Sequence, residues 1–113
     1  MKLIIAYVKP ERFKEVKKEL YKAEVHKMSV SMVRGCGSQM GFHEVFRTSS
    51  EEVNLLPKVR LEVAVNEDFV EPTVDAIIRG ARTGEVGDGK ILVVSLAECI
   101  RIRTGERGGA AIG

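Results

Sequence analysis

The sequence contains no tryptophan, only two cysteines and three prolines, and aromatic residues make up 5% of it. So few rings argue against a sheet that stacks single-stranded RNA bases, and no RNP1-type run is present. Cys36 and Cys99 are far apart and belong to no C-x-x-C pair, which points to a reducing, cytoplasmic setting rather than a disulfide framework. A metal site built on Cys36 with His43 or His26 lacks any ligand spacing. Long apolar runs are missing too. The first one, Leu3 to Val8, stops at Lys9-Pro10, too soon for a signal peptide or a membrane span. Charge of one sign is also lacking: the net charge is +2, too little to imply nucleic-acid binding. No serine, cysteine or aspartate sits in a nucleophile motif. Glu51 and Glu52 are adjacent, so on a strand they would face opposite ways and form no acid–base pair. An ATP-hydrolysing or phosphoryl-transfer enzyme would need a water-positioning residue that the sequence does not mark.

What is present is a globular balance of 44% apolar and 30% charged residues in 113 positions, enough for one domain with a modest core. Leu3 to Val8 reads as a buried strand. Pro10 and Glu11 suit the first turn of a helix, and Phe13, Val16 and Leu20 form its apolar stripe as far as about Ala23. Met28, Val30 and Met32 alternate with serines as a second strand, closed by Gly35. Val59, Leu61, Val63 and Val65 alternate as a half-buried third strand. A second helix from near Glu71-Pro72 should bury Val74, Ile77, Ile78 and Ala81. Ile91 to Ser95 is the fourth strand. Glu98 to Arg103 alternates once more, ahead of a glycine-rich tail expected to be loose. The order predicts an α+β, ferredoxin-like βαββαβ domain spanning 1–113, an antiparallel sheet with two helices on one face. The other face would be left for self-association into a trimer or dimer.

About twenty residues separate the second and third strands, far beyond the usual hairpin loop of about two to five. Such an excursion is either a partner surface or in part an extension of the two strands as a ribbon. The 82–90 segment is more telling. Thr83-Gly84-Glu85-Val86-Gly87-Asp88-Gly89-Lys90 combines turn-forming glycines with a lysine, a composition that cradles anions. From Gly84 to Lys90 it follows most of G-x-x-x-x-G-K-[ST], but Ile91 replaces the hydroxyl and a strand, not a helix, follows. It therefore reads as a phosphate cradle of another architecture. Asp88 would ligate a cation or shape the turn. Arg101 and Arg103, two apart, would project from one strand face, either as a phosphate clamp with Lys90 or as solvated edge residues. Gly35-Cys36-Gly37 would admit a flat ring or simply release the long loop. Gln39 and Lys58 flank that loop, the first able to ligate magnesium and the second to pair with a small carboxylate.

Together, Lys9-Pro10, Val33-Arg34-Gly35-Cys36-Gly37 with Gln39 and Gly41, Leu56-Pro57-Lys58-Val59, the 83–91 block and Ile100-Arg101-Ile102-Arg103-Thr104-Gly105-Glu106 carry a resemblance. The chain resembles the PII signal-transduction proteins, the GlnB/GlnK group, over essentially its full length. That resemblance implies a non-catalytic homotrimer with ATP or ADP in each cleft between neighbours. It names residues 37–55 the T-loop, which docks on targets, 82–90 the B-loop, and 98–113 the C-terminal strand and tail. It implies that Gly87, Asp88, Gly89, Lys90, Arg101 and Arg103 contact phosphates. Ser29, Gly35, Cys36, Gly37, Ser38 and Ala64 would line the adenosine pocket. Gln39 would bind Mg²⁺ with ATP, and Gln39, Lys58 and Gly87 would receive 2-oxoglutarate. Arg47 matches the arginine with which relatives plug ammonium transporters of the Amt type. Ser49 matches a position phosphorylated in some relatives.

Several residues depart from the family pattern. Glu51 stands where the modification tyrosine is frequent, which rules out uridylylation or adenylylation there. Met40 and Ser38 replace residues often basic, and Cys36 a larger side chain. Two functions follow: an ATP/ADP and 2-oxoglutarate sensor regulating an ammonium transporter, or an adenylate-sensing paralogue with a carbon- or nitrogen-fixation target and little 2-oxoglutarate response.

Overall fold

The computed structural model of the chain describes residues 1–35 and 55–113. Four strands and two principal helices follow the expected order: β1 (Lys2–Val8), α1 (Phe13–Lys22), β2 (Ser29–Gly35), β3 (Leu56–Val65), α2 (Val70–Ala81) and β4 (Lys90–Ser95). A 3₁₀ turn, Pro10–Arg12, leads into α1, with Pro10 where its missing N–H costs nothing. A last helical turn, α3 (Gly109–Ile112), ends the chain.

The sheet is antiparallel in the order β2-β3-β1-β4. Because side chains alternate, the register sorts them into two faces. Ile4, Ala6 and Val8 pair with Val63, Leu61 and Val59, and all six are buried beneath the helices. Leu3, Ile5 and Tyr7 point the other way, beside Ala64, Glu62 and Arg60 of β3 and Val94, Leu92 and Lys90 of β4. No described residue covers this second face, and Leu92 and Val94 are 41% and 43% exposed. At its middle, the Arg60 guanidinium meets Glu62 at 2.6 Å and lies over the Tyr7 ring.

The helix layer departs from the expected pattern in one respect. Besides Ile77 and Ala81, α2 buries Thr73, Ala76 and Gly80, while Val74 and Ile78 are only half-buried. The buried stripe is thus rotated toward small residues that an apolar pattern overlooks. Close approach to α1 is the reason: a Cβ on Gly80 would lie 2.5 Å from the Val16 Cα. The Arg12 Nε donates to the Gly80 carbonyl at 2.9 Å, satisfying one of the orphan acceptors of the last turn. Arg79 reaches across to Glu19 at 2.9 Å, and this hydrogen bond, with Lys22 behind it, holds the Glu19 carboxyl below its ordinary range.

On β2 the apolar alternation does not translate into burial, since Val30 and Met32 are 46% and 64% exposed on this sheet edge. β3 begins at Leu56, slightly ahead of the expected start near Lys58, because Leu56, Pro57 and Lys58 pair with Gly35, Arg34 and Val33. This bears out a short extension of the β2–β3 ribbon. Pro57 is tolerated there because β1 has already ended, at the pair Val8–Val59.

Residues 98–103 are not a strand. A single bridge joins Ile100 to Arg107, and the chain turns between them, with Gly105 N–H donating to the Arg101 carbonyl at 2.7 Å. Gly105 and Gly108 take positive φ of 75° and 82°, which ends any extended run. The tail beyond is ordered as α3, and the Asn66 amide donates to the Gly109 carbonyl at 3.1 Å.

No helix among the described residues is long and apolar enough to cross a membrane.

Candidate functional site

The 82–90 loop is built outward from the end of β1. Its three glycines all have positive φ: 89° at Gly84, 101° at Gly87 and 99° at Gly89. Gly89 is held most tightly, for any Cβ there would collide with the Tyr7 carbonyl oxygen. The loop therefore rests directly on the β1 backbone.

Asp88 organises the remainder. Its carboxylate accepts the N–H groups of Thr83 and Gly84, both at 2.8 Å, and the Thr83 hydroxyl. Lys9 Nζ completes the cluster, 3.4 Å from Asp88 Oδ1 and 3.3 Å from Thr83 Oγ1. The Thr83 hydroxyl and then its N–H hold the Asp88 carboxyl far below the usual carboxylate range. Burial opposes them, and Gly84 and then Lys9 add smaller contributions in the lowering direction. Asp88 thus shapes the turn, and its oxygens are committed within the loop. Any contact it makes with an anion must come through its backbone. Neither Lys9 nor Thr83 was marked for this role by the sequence pattern, since they lie 74 residues apart.

Two cations face the loop from the same end of the sheet. Lys58 Nζ donates to the Gly87 carbonyl at 2.9 Å in a half-buried position. Lys90 is exposed at the start of β4. A small cavity of about 160 Å³ lies behind the loop, lined by Val8, Ile77, Ala81, Gly89 and Lys90 among others. Gly35 pairs with Leu56 at this same end.

The other expected residues lie elsewhere. Ala64 pairs with Leu3, and Ser29 with Glu62, near the opposite end of β1 and β3. Ala64 lies six positions along β3 from Lys58, about 20 Å at the usual rise. Arg101 is not on a strand beside Arg103, as the alternation suggested. Its guanidinium is held by Glu106 at 2.8 Å and by the Ala110 carbonyl at 3.2 Å. It also lies beside Gly113, as does Lys27. A cavity of about 290 Å³ opens there, lined by Val25, Lys27, Ala64, Asn66 and Gly113 among others. Arg103 is exposed in the turn, next to the fully exposed Ile102. One chain thus carries two separate groups: Gly35, Lys58 and Gly87–Lys90 at one end, and Ser29, Ala64 and Arg101 at the other.

Cys36, Gly37, Ser38, Gln39, Arg47 and Ser49 lie outside the described residues, as does Glu51. Among the described residues no group of three or more His, Cys, Asp or Glu side chains could hold a metal ion.

Comparisons with known proteins converge on this architecture. The chain is 49% identical to nitrogen regulatory protein GlnK1 of Methanosarcina mazei, covering 99% of this chain and 97% of that one. It is 46% identical to nitrogen regulatory protein P-II of Klebsiella oxytoca, over 99% of this chain and 100% of the relative. The crystal structure of Arabidopsis thaliana PII bound to citrate superposes with a TM-score of 0.76 at 39% identity, covering 97% of this chain and 87% of that one. The first two names are those of regulatory proteins rather than enzymes. A family model described as nitrogen regulatory protein P-II matches residues 1–106, and with that match the chain belongs to the P-II family of nitrogen signal-transduction regulators.

Proposed function

We propose that this protein senses ATP and ADP in clefts between the subunits of a homotrimer, and signals through its 37–55 segment to a partner protein. One observation carries the reading. The residues expected around one nucleotide fall into two groups at opposite ends of one chain, Gly35 with Gly87–Lys90 and Ser29 and Ala64 with Arg101, about 20 Å apart along β3. An adenine nucleotide joins them only if a second copy brings its Ser29–Ala64–Arg101 end against the Gly87–Lys90 end of the first. The uncovered sheet face, with Leu3, Ile5, Leu92 and Val94, gives the copies an apolar surface on which to meet.

In that cleft the glycine amides of the 82–90 loop and the Lys90 ammonium receive the phosphates, and Arg101 and Arg103 of the neighbour close over them. Gln39 would hold magnesium when it is bound with ATP, and the ion would supply coordination for a small oxo-acid such as 2-oxoglutarate. The protein's part is to hold Gln39 near that ion and to offer Lys58 to the far carboxylate. Lys58 is suited to this, since its ammonium already lies at the loop through the Gly87 carbonyl. The partner we favour is an ammonium transporter, with Arg47 as the contacting side chain.

Calorimetric titration of the purified protein with ATP and ADP, with and without Mg²⁺ and 2-oxoglutarate, tests the reading, run beside a measurement of oligomeric mass. The expected result is a trimer that binds both nucleotides, with 2-oxoglutarate binding only when Mg²⁺ and ATP are present. A monomer with affinity for neither nucleotide would overturn it. Nucleotide binding indifferent to the oxo-acid would leave an adenylate sensor and remove 2-oxoglutarate from the account.

A further inference from the structure

We infer that Lys9 is a positioning residue for the phosphate loop, acting through its charge on Asp88 as well as through its hydrogen bonds. The inference rests on the nucleotide reading above and deepens it. The Lys9 side chain is 19% exposed and Asp88 24%, so the pair is partly shielded from solvent. Lys9 sits at the end of β1, whose Tyr7 carbonyl seats Gly89. The same short stretch thus grips the loop at two points, a backbone seat under Gly89 and an ionic tie to Asp88 and Thr83.

The ionic tie has an electrostatic consequence. Asp88 places a full negative charge one residue from Gly87 and Gly89, whose amides are to meet a polyanion. Left alone, that carboxylate repels a phosphate group at this distance. The Lys9 ammonium neutralises it from within the protein, so that the charge of Lys90 acts on the ligand rather than on Asp88. Lys9 itself touches no phosphate in this scheme. It acts through Asp88.

The charge groups near the pair fit this assignment. Lys9 is the one side-chain cation within ion-pair distance of Asp88 among the described residues. Lys58 is engaged by the Gly87 carbonyl instead. Removing the Lys9 charge therefore leaves Asp88 held by neutral donors only: the Thr83 and Gly84 amides and the Thr83 hydroxyl.

The test compares ADP affinity in the full-length protein and the variants Lys9→Met, Lys9→Arg and the double variant Lys9→Met/Asp88→Asn. Melting temperature and oligomeric mass are followed alongside. Lys9→Met should weaken ADP about tenfold, the loss typical of one charge-assisted contact, with assembly intact. Lys9→Arg should restore most of the affinity. The double variant should bind better than Lys9→Met alone, because the uncompensated carboxylate is gone; a purely steric brace predicts that it binds no better. Wild-type affinity in Lys9→Met would overturn the inference while leaving the nucleotide reading in place. Failure of the unaltered protein to bind ADP would instead overturn the nucleotide reading, and the role of Lys9 with it.

Discussion

The two ends of the sheet differ in how their chemistry is held. At the Lys9 end, a loop of three left-handed glycines is pinned to β1 by a backbone seat and an ionic cluster, and its geometry exists in a single chain. At the Ala64 end, the arginines sit on a small turn of the chain terminus, tied chiefly by Glu106, with Arg103 and Ile102 facing solvent. The first end is built within one chain. Under the proposed function, the second is half of a site that another copy completes.

The contrast can be attacked most directly at Gly89. Gly89→Ala should lower ADP affinity by at least about a hundredfold, since it adds left-handed strain to a collision with the Tyr7 carbonyl. Trimer mass by light scattering should be unchanged. Arg101→Ala/Arg103→Ala should weaken binding nearly as much. The sharper experiment mixes the two variants. If each cleft draws one end from each of two copies, co-refolded chains should recover about a quarter of the wild-type binding stoichiometry, as random assembly dictates. No recovery would mean that both ends serve the same nucleotide within one chain.

A smaller effect is expected at the Lys58 link. Lys58→Met should remove one hydrogen bond to Gly87, worth about 0.5–1.5 kcal/mol, and so loosen ADP only slightly while abolishing any oxo-acid response. Titration of the loop itself should be nearly invisible near neutrality. Because the Asp88 carboxyl is held below its unfolded value, its contribution is fully present above the ordinary carboxylate range. That contribution is lost only as the pH falls through the depressed value. Amide exchange at Thr83 and Gly84, measured as protection factors, should thus stay constant from about pH 7 to 5. Least of all, Ile102→Ser should change the unfolding free energy of a subunit by less than about 0.5 kcal/mol, given its complete exposure. A larger change measured by denaturant melts would place Ile102 within a contact between copies.

Much of this was legible in the residues. The alternation of Val59, Leu61, Val63 and Val65 and the stripe of Val16 and Leu20 gave away β3 and α1, because each element has one buried face with a regular period. Helix α2 was found but its face was misjudged: Thr73 and Gly80 are buried for reasons of close packing against α1, which no hydropathy pattern encodes. The Arg101–Arg103 alternation looked like a strand, yet Gly105 and Gly108 turn the chain, and the Arg101–Glu106 pair suits that turn. The glycines of the 82–90 loop signalled its tight turns by composition. Its brace did not, for Lys9 and Thr83 meet only after β1 and β4 have paired through Tyr7 and Lys90.

That pairing gives the first strand an unusual burden. β1 is the central rail of the sheet, aligned with β3 on one side and β4 on the other, and its last residues carry the seat of Gly89 and the ammonium that faces Asp88. A slip of one position along it would turn Tyr7 inward, Val8 outward, and carry the seat away from the loop in the same motion. Misaligned molecules would accordingly lose core and cradle at once, so that a folding error in this protein yields silence rather than a false signal.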